Sequence, residues 1–211
     1  MIELKLAGLV ILGYLIGAIP FGVIAGRLAR GIDVREHGSG SMGMTNVMRT
    51  VGKRAGAAVF IADVLKGAGA VALAWPIIGS TSDTFVWGCA AGGVAAVIGH
   101  SWPVYIGFRG GRGIATGFGA LLVICWPVAL ISLAVFAIVV SICRYVSLGS
   151  ILAATTMLLS MTPFVVYDKE PVASIVFASV VAAIVIFRHR GNIRRLSSGT
   201  ESKVGHKVKT S

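Results

Sequence analysis

Three polar segments, separated by long apolar stretches, hold most of the residues that could do chemistry. The first, EHGSGSMGMTNVMR at 36–49, alternates glycines with small hydroxyl residues and ends on a cation. Glycines let main-chain N–H groups approach an anion closely, and an arginine offers a planar fork that matches phosphate oxygens. The pattern predicts a phosphate-binding loop, although an inter-helix loop whose charge only sets topology is an alternative. The candidates are Gly38, Ser39, Gly40, Thr45, Asn46 and Arg49.

The second segment places glycines directly before an apolar stretch. It reads GHSWP at 99–103 and FRGGRGIAT at 108–116. At the start of a helix, free N–H groups and the helix dipole both favour negative charge, so this segment predicts an oxyanion cradle. The Gly-Lys-Ser/Thr spacing of a Walker loop is absent. A turn flanked by topology-setting arginines is the alternative. The candidates are Gly110, Gly111, Arg112 and Gly113.

The third segment, RHRGNIRRLSSGTE at 188–201, carries His189 and Asn192. Their spacing of three places them on one face of a helix. Taken alone, the segment is more typical of a basic tail that binds anionic lipid headgroups.

One pair of opposite charges interrupts an apolar stretch. Asp63 and Lys66 stand three residues apart, and an ion pair inside a membrane is a candidate functional site. Mutual cancellation of charge, which would pin neighbouring helices, explains the pair equally well, and we assign it a structural role.

The composition identifies the solvent in which these segments fold. Of the 211 residues, 56% are hydrophobic and 13% are charged, whereas soluble domains have about 45–50% and about 25%. The chain is therefore predicted to lie in lipid. Its net charge of +11 is concentrated in short loops, which fits membrane topology and anionic ligands better than nucleic acid. The three cysteines lie in or beside apolar stretches, so we expect neither a metal site nor a disulfide framework.

Hydropathy and charge together predict the topology. A membrane span needs about 20 apolar residues, and such runs occur at 6–26, 55–78, 85–102, 114–143, 146–167 and 171–187. The positive-inside rule places all three basic segments in the cytoplasm, which requires 114–143 to cross twice, with a break at Trp126–Pro127. We therefore predict an all-α polytopic membrane protein of about seven transmembrane helices, with short fourth and fifth helices, an outside N-terminus and a cytoplasmic C-terminus. Residues 1–211 form one domain, with a flexible tail from about 202 to 211.

The three segments, in this order and spacing, resemble a bacterial family: the membrane glycerol-3-phosphate acyltransferases that use acyl phosphate. The family's motifs are similar to G-S-G-N-x-G-A-T-N-x-x-R, G-H-x-x-P…F-x-G-G-K-G-V-A-T and R-H-x-x-N-I-x-R-L-x-x-G-x-E, with D-x-x-K-G in the second helix. The likeness spans nearly the whole chain. Ser41, Met44 and Arg112 depart from it, where the family usually has asparagine, alanine and lysine.

The resemblance implies an activity. An acyl group would pass from a fatty acyl phosphate to glycerol 3-phosphate, giving lysophosphatidate and phosphate. This is the first step of phospholipid synthesis, on the cytoplasmic side of the bacterial inner membrane. The implied partners are both substrates, membrane lipids and, through function, an enzyme that forms acyl phosphate; no cofactor is implied.

The resemblance also implies roles for residues. Arg49 and Arg112 would hold phosphate groups, while Ser39 and Asn192 would orient oxygens by hydrogen bonds. His189 would be a general base or a phosphate ligand, and the lack of an obvious carboxylate to orient it favours the ligand. Glu201 would pair with a nearby cation.

Three alternative functions or mechanisms fit the sequence less well. A transporter for a phosphorylated solute would gather its polar groups near the bilayer midplane, whereas these cluster in loops. A Ser39 nucleophile lacks the Gly-x-Ser-x-Gly elbow and its triad partners. The His-x4-Asp dyad of coenzyme A-dependent acyltransferases is absent, because none of the four histidines has an aspartate five positions later.

Overall fold

The computed structural model describes residues 1–80, 83–167 and 170–205, and within these ranges the regular structure is helical. Short 3-10 turns occupy Val34–Glu36 and Val104–Ile106. The all-α prediction is confirmed. The helices are α1 (Ile2–Gly17), α2 (Phe21–Arg30), α3 (Met44–Thr50), α4 (Lys53–Ala72), α5 (Ala74–Ile78), α6 (Asp83–Ser101), α7 (Ile114–Ile124), α8 (Trp126–Cys143), α9 (Val146–Val166), α10 (Val172–Arg188) and α11 (Arg190–Ser197).

Several helical stretches have the length and hydropathy of membrane spans. Within the described ranges five qualify, and α10 with α11 makes a sixth candidate that bends by 57°. Helix α7 is a shorter apolar helix of 11 residues. A multi-pass membrane protein is therefore confirmed, while the number of seven crossings and their orientation stay predictions. The five are Ile2–Arg30, Lys53–Ile78, Thr84–Ile106, Trp126–Cys143 and Val146–Val166.

The break predicted at Trp126–Pro127 is present. Helix α7 ends at Ile124 and α8 begins at Trp126, with Pro127 in its first turn. Proline suits this place because the first turn of a helix needs no partner for its N–H groups. The fourth apolar helix is short, as predicted. The fifth, with 18 residues, is the shortest of the five stretches that are long enough to span.

The first apolar run, predicted as one helix over 6–26, is broken. Helix α1 ends at Gly17 and α2 begins at Phe21, after Pro20. Proline lacks an N–H and its ring clashes with the preceding turn, so it interrupts the ladder of helical hydrogen bonds. The carbonyl of Ile19, at this break, accepts a hydrogen bond from Lys66 Nζ at 3.0 Å.

Close backbone contact joins α4 to α7. A side chain at Gly67 would collide with the main chain of Thr116, and one at Gly119 would collide with that of Val64. Small residues allow such approach between helices in lipid, where packing and hydrogen bonds replace the hydrophobic effect. Helix α7, which begins directly after the glycine-rich second segment, is thereby fixed against α4.

Candidate active site

Residues of all three polar segments meet at one cleft of about 400 Å³. The segments are far apart along the chain, yet each contributes to the lining. Among the residues assigned from the sequence, Ser39, Gly40, Gly110, Arg112 and Asn192 line the cleft. The remaining lining residues are Ser41, Arg188, Arg190, Gly191, Arg194 and Arg195.

The first segment is organised around the buried side chain of Asn46. Its Nδ2 donates to the carbonyl oxygens of Val34 at 2.7 Å and Ser41 at 2.8 Å, with His37 at 3.1 Å. Its Oδ1 accepts the main-chain N–H of Ser39 at 2.9 Å. The sequence predicted that Asn46 binds phosphate. Its amide is instead occupied by hydrogen bonds within the loop, and it positions Ser39.

Glycine conformation completes this loop. Gly38 and Gly40 have φ of +61° and +68°, which L side chains rarely adopt, and a side chain on Gly38 would also collide with Asn46. The loop leads into α3, a helix that the sequence did not predict. Thr45 and Arg49 lie on α3 and are not among the described residues that line the cleft.

Arg49 lies beside the C-terminal segment. Its Nη2 is 3.5 Å from the carbonyl oxygens of Ser202 and Lys203. Val204 binds the main chain of Arg144 at 2.8 Å, and the Arg144 side chain returns a hydrogen bond to the Val204 carbonyl at 3.0 Å. The beginning of the predicted flexible tail is thus tied to the α8–α9 corner, while 206–211 lie outside the described residues.

The second segment forms a turn held by hydrogen bonds on its main chain. Gly111 N–H donates to the His100 carbonyl at 3.0 Å. Arg188 donates through Nη2 to Gly110 O and through Nε to Gly111 O, both at 3.0 Å. Gly113, with φ of +82°, ends the turn directly before α7. Arg188 was not assigned from the sequence, because its adjacency to His189 was the only signal and does not give a tertiary partner.

His189 lies at the bend between α10 and α11. Its side chain is buried, and Nδ1 is 2.8 Å from the carbonyl oxygen of Val185, to which it donates as an N–H. Burial and the nearby Arg112 cation lower the pKa of His189 to about 4. The imidazole is therefore neutral near pH 7, with its lone pair on Nε2. His189 is not among the described residues that line the cleft, although its neighbours in sequence, Arg188 and Arg190, are.

Glu201 joins α11 to α9. Its Oε1 accepts hydrogen bonds from Asn192 Nδ2 at 2.6 Å and Ser147 Oγ at 2.7 Å. Its Oε2 accepts Arg195 Nε at 2.7 Å, so Arg195 is the cation beside this carboxylate. Burial opposes ionisation, but these hydrogen bonds outweigh it and hold the pKa of Glu201 below its usual range. The carboxylate thereby orients Asn192 at the cleft.

The cleft is strongly positive. Burial lowers the pKa of Arg112, Glu201 raises it, and neighbouring arginines lower it again, to about 10. Arg112 is therefore still charged near pH 7. Several like charges held this close favour a ligand that carries more than one negative charge. Arg190, Arg194 and Arg195 belong to this set and were not assigned from the sequence.

An apolar pocket of about 100 Å³ lies beside the charged turn. It starts at Gly113, the last residue of the turn, and follows α7 to Leu121. Val185, whose carbonyl binds His189, also lines it. Arg112 lines the cleft and the next residue, Gly113, lines the apolar pocket, so the two cavities approach each other at the end of the turn. The other lining residues are Phe60, Ile114, Gly117, Phe118, Ser132, Leu133, Phe136, Ala153, Ala154, Met157 and Val181.

The family model described as "Glycerol-3-phosphate acyltransferase" matches residues 7–199. The chain belongs to the glycerol-3-phosphate acyltransferase family. The resemblance carried by the three motifs is thus confirmed, and the transporter alternative has no support from the relatives.

Similar members of the family agree over nearly their whole length. A glycerol-3-phosphate acyltransferase of Parasynechococcus marenigrum is 46% identical over 200 residues, which cover 95% of this chain and 90% of the relative. One of Gloeobacter violaceus is 45% identical over 193 residues, covering 91% of each chain.

Two solved structures of an integral membrane glycerol 3-phosphate acyltransferase have the same fold. Its glycerol 3-phosphate form superposes with a TM-score of 0.85 at 40% identity, covering 95% of this chain and 96% of the other. Its lysophosphatidic acid form gives a TM-score of 0.83 at 40% identity, covering 95% of each chain.

Proposed function

We propose that the protein transfers a fatty acyl group from acyl phosphate to the primary hydroxyl of sn-glycerol 3-phosphate. The products are 1-acyl-sn-glycerol 3-phosphate and phosphate, formed on the cytoplasmic side of a bacterial inner membrane. The observation that carries this proposal is the adjacency of Arg112, which lines an arginine-rich cleft, to Gly113, which lines an apolar pocket. The substrate pair needs both surfaces, because each substrate carries a phosphate and the donor also carries a hydrocarbon chain.

The charge of the cleft favours acyl phosphate as the donor. Both the acceptor and this donor carry a phosphate, and the cleft offers five arginines, Arg112, Arg188, Arg190, Arg194 and Arg195. Acyl phosphate is an activated mixed anhydride, so its transfer requires no cofactor and no covalent intermediate with the protein. Catalysis then rests on positioning and on stabilisation of the developing oxyanion.

In the proposed reaction the glycerol hydroxyl oxygen attacks the acyl carbonyl carbon directly. The bond from that carbon to the phosphate oxygen breaks, and the hydroxyl proton passes through His189 Nε2 to the released phosphate. Arg112 holds a phosphate group, while Ser39 and Asn192 orient oxygens in the cleft. The main-chain N–H groups between Gly110 and Gly113 lie before a helix start, where developing negative charge is favoured.

We assign His189 the role of hydrogen-bond acceptor for the glycerol hydroxyl. Its Nδ1–H is occupied by the Val185 carbonyl, so only the bare Nε2 remains, and a bare nitrogen cannot donate to a phosphate oxygen. This geometry favours the base-like role over the phosphate-ligand role that the sequence favoured. Val185, whose carbonyl binds His189, also lines the apolar pocket, and this supports a position of His189 near the expected meeting point of hydroxyl and acyl carbonyl.

The test is lysophosphatidate formation by the purified protein in detergent. Synthetic acyl phosphate, acyl-coenzyme A and acyl-carrier protein are offered separately with radiolabelled glycerol 3-phosphate. We expect product from acyl phosphate alone. Product from either thioester but none from acyl phosphate would overturn the proposed donor.

A Ser39 nucleophile predicts a different intermediate. Acyl phosphate with a labelled acyl chain is mixed with the wild type without acceptor, and the protein is precipitated and counted. Direct transfer predicts no label on the protein, with the Ser39→Ala variant as the matched blank. Label that appears on the wild type and is absent from the variant contradicts direct transfer.

A further inference from the structure

Three ionisable residues form a buried cluster that the proposed reaction does not use. Asp63 and Lys66 lie on α4 and His100 on α6, and their side chains are 2–3% exposed. Lys66 Nζ is 2.8 Å from Asp63 Oδ1, and His100 Nδ1 is 3.5 Å from the same oxygen. The Asp63 carboxylate therefore stands between a lysine and a histidine.

His100 reaches from this cluster to the glycine turn of the cleft. Its carbonyl accepts the Gly111 N–H at 3.0 Å. Its imidazole edge lies against Gly111, where a Cβ would collide with Nε2, and a Cβ on Gly110 would collide with the His100 carbonyl. The ring and main chain of His100 thus form the floor on which Gly110 and Gly111 rest.

The opposite side of the turn is held by Arg188. It donates to the carbonyl oxygens of Gly110 and Gly111, and its guanidinium lies 5.2 Å from the Trp102 ring centroid. With both carbonyls bound to Arg188 and the Gly111 N–H bound to His100, the turn has little freedom to change shape. The imidazole of His100 is the part of this arrangement that contacts the buried cluster.

We propose that Asp63 is a positioning residue that holds His100, and through it the Gly110–Gly111 turn, in the shape that binds a substrate phosphate. This inference rests on the proposed function, because it takes the turn as part of the phosphate-binding cleft. Asp63 touches no substrate. It fixes the ring orientation of His100, as a carboxylate commonly does for a histidine.

A purely structural role for the ion pair makes a different prediction. Lys66 binds the Ile19 carbonyl as well as Asp63, so the pair also joins α4 to the break between α1 and α2. If charge cancellation and this joint were the whole role, replacing both charges with apolar residues of similar size would be close to neutral, as it often is for buried ion pairs. The kinetic constants would then stay unchanged in every variant that folds.

The experiment uses a double variant and a single variant. Asp63→Leu combined with Lys66→Met removes both charges and leaves His100 without the carboxylate beside its Nδ1. His100→Phe keeps a ring beneath Gly111 but removes the nitrogen that faces Asp63 at 3.5 Å. Ser174→Ala is the control, a buried polar position in the first turns of α10, at the end of that helix opposite His189. Folding is checked by thermal unfolding in detergent, and kcat and KM are measured for each substrate separately.

We expect KM for at least one phosphate substrate to rise about tenfold in both folded variants, on the scale of one weakened hydrogen bond between the turn and a charged phosphate. The value of kcat should change less than about threefold, since the reacting groups keep their places, and Ser174→Ala should match the wild type. If both KM values of the folded Asp63→Leu/Lys66→Met variant stay within about threefold of wild type, the proposal is wrong. The wild type separates the two proposals. If the proposed donor is wrong, the wild type is inactive with acyl phosphate. If this inference is wrong, the wild type is active and the double variant has the same KM values.

Discussion

Burial and one hydrogen bond fix the protonation state of His189. The Val185 carbonyl fixes the proton on Nδ1, and burial with the Arg112 cation disfavours a second proton, so its pKa falls to about 4. Because the folded pKa lies below the usual value of about 6.5, the neutral form is favoured by folding. The corresponding stability is fully present above pH of about 6.5 and is lost as the pH falls towards 4.

We therefore expect His189 to stay neutral from pH 8 to about pH 5 in the substrate-free protein. The measurement is the ring ¹⁵N chemical shift of histidine-labelled protein in detergent, with His189→Asn to assign the resonance. A resonance that titrates near pH 6.5 would show that the ring is solvated or paired with an anion, and would remove the basis for its acceptor role.

Arg112 is the cation that stands where the family usually has lysine. Replacing it with glutamine removes a charge that is partly withdrawn from water, so kcat/KM should fall by about 10–100-fold, the range for a hydrogen bond to a charged group. Arg112→Lys keeps the charge and should lose far less. Steady-state assays of both variants against wild type measure this, and equal losses would mean that guanidinium geometry, not charge, is what the site needs.

The sequence identified only some of the residues that line the cleft and none of those that shape it. Ser39, Arg112 and Asn192 were assigned because the motifs in which they stand resemble those of the family. Asn46 was read as a ligand, although its amide binds the loop itself. Arg188 was passed over for the same reason: a hydrogen-bond partner distant in sequence cannot be deduced from the neighbours of a residue.

Among the helices, α11 and α9 are joined through one carboxylate. Glu201 takes hydrogen bonds from Asn192 and Ser147 with Oε1 and from Arg195 with Oε2. Its pKa is lowered below the usual value, so its contribution to stability is present above that value and is lost as the pH falls through the folded pKa. The link therefore operates at neutral pH.

We expect Glu201→Gln to release α11 and to reduce kcat/KM by about tenfold or more, because it weakens charge-assisted hydrogen bonds to several partners. Ser147→Ala is the matched variant, which removes one neutral donor and leaves Asn192 and Arg195 bound. Its loss should be smaller, within about tenfold. Activity assays with melting curves in detergent measure both. If Ser147→Ala proves as harmful as Glu201→Gln, the carboxylate charge is not what holds α11.

A helix end was predictable where a proline coincided with a break that the charge pattern required. The boundary at Trp126 was found because positive charge on both sides demanded an extra crossing and Pro127 offered the break. The break before Phe21 was missed, since Pro20 lies within an uncharged run and hydropathy does not change there. The Ile19 carbonyl at this break accepts a hydrogen bond from Lys66, a contact between helices that are distant in sequence.

At the scale of the whole molecule, lipid acts as the solvent that gathers the motifs. Polar segments are unfavourable in the bilayer core, so they lie at the ends of helices. Close packing of α4 against α7 then fixes the position of the second segment, which directly precedes α7. The cleft lined by all three segments is the result. Because residues of one open cleft share one aqueous side, the first and third segments must emerge from the same face of the membrane.

The absolute orientation of that face can be measured with single cysteines. Arg30 precedes the first segment, Ser198 follows α11, Ser80 follows α5, and all three are exposed. In a Cys143→Ser background, which leaves only the buried Cys89 and Cys125, each is replaced by cysteine and treated with a membrane-impermeant maleimide. The positive-inside rule predicts labelling of Arg30→Cys and Ser198→Cys only in inverted vesicles, and of Ser80→Cys only in right-side-out vesicles. Labelling of the first two positions from opposite sides would contradict the shared cleft, whereas a uniform reversal would leave the cleft intact and place it outside the cytoplasm.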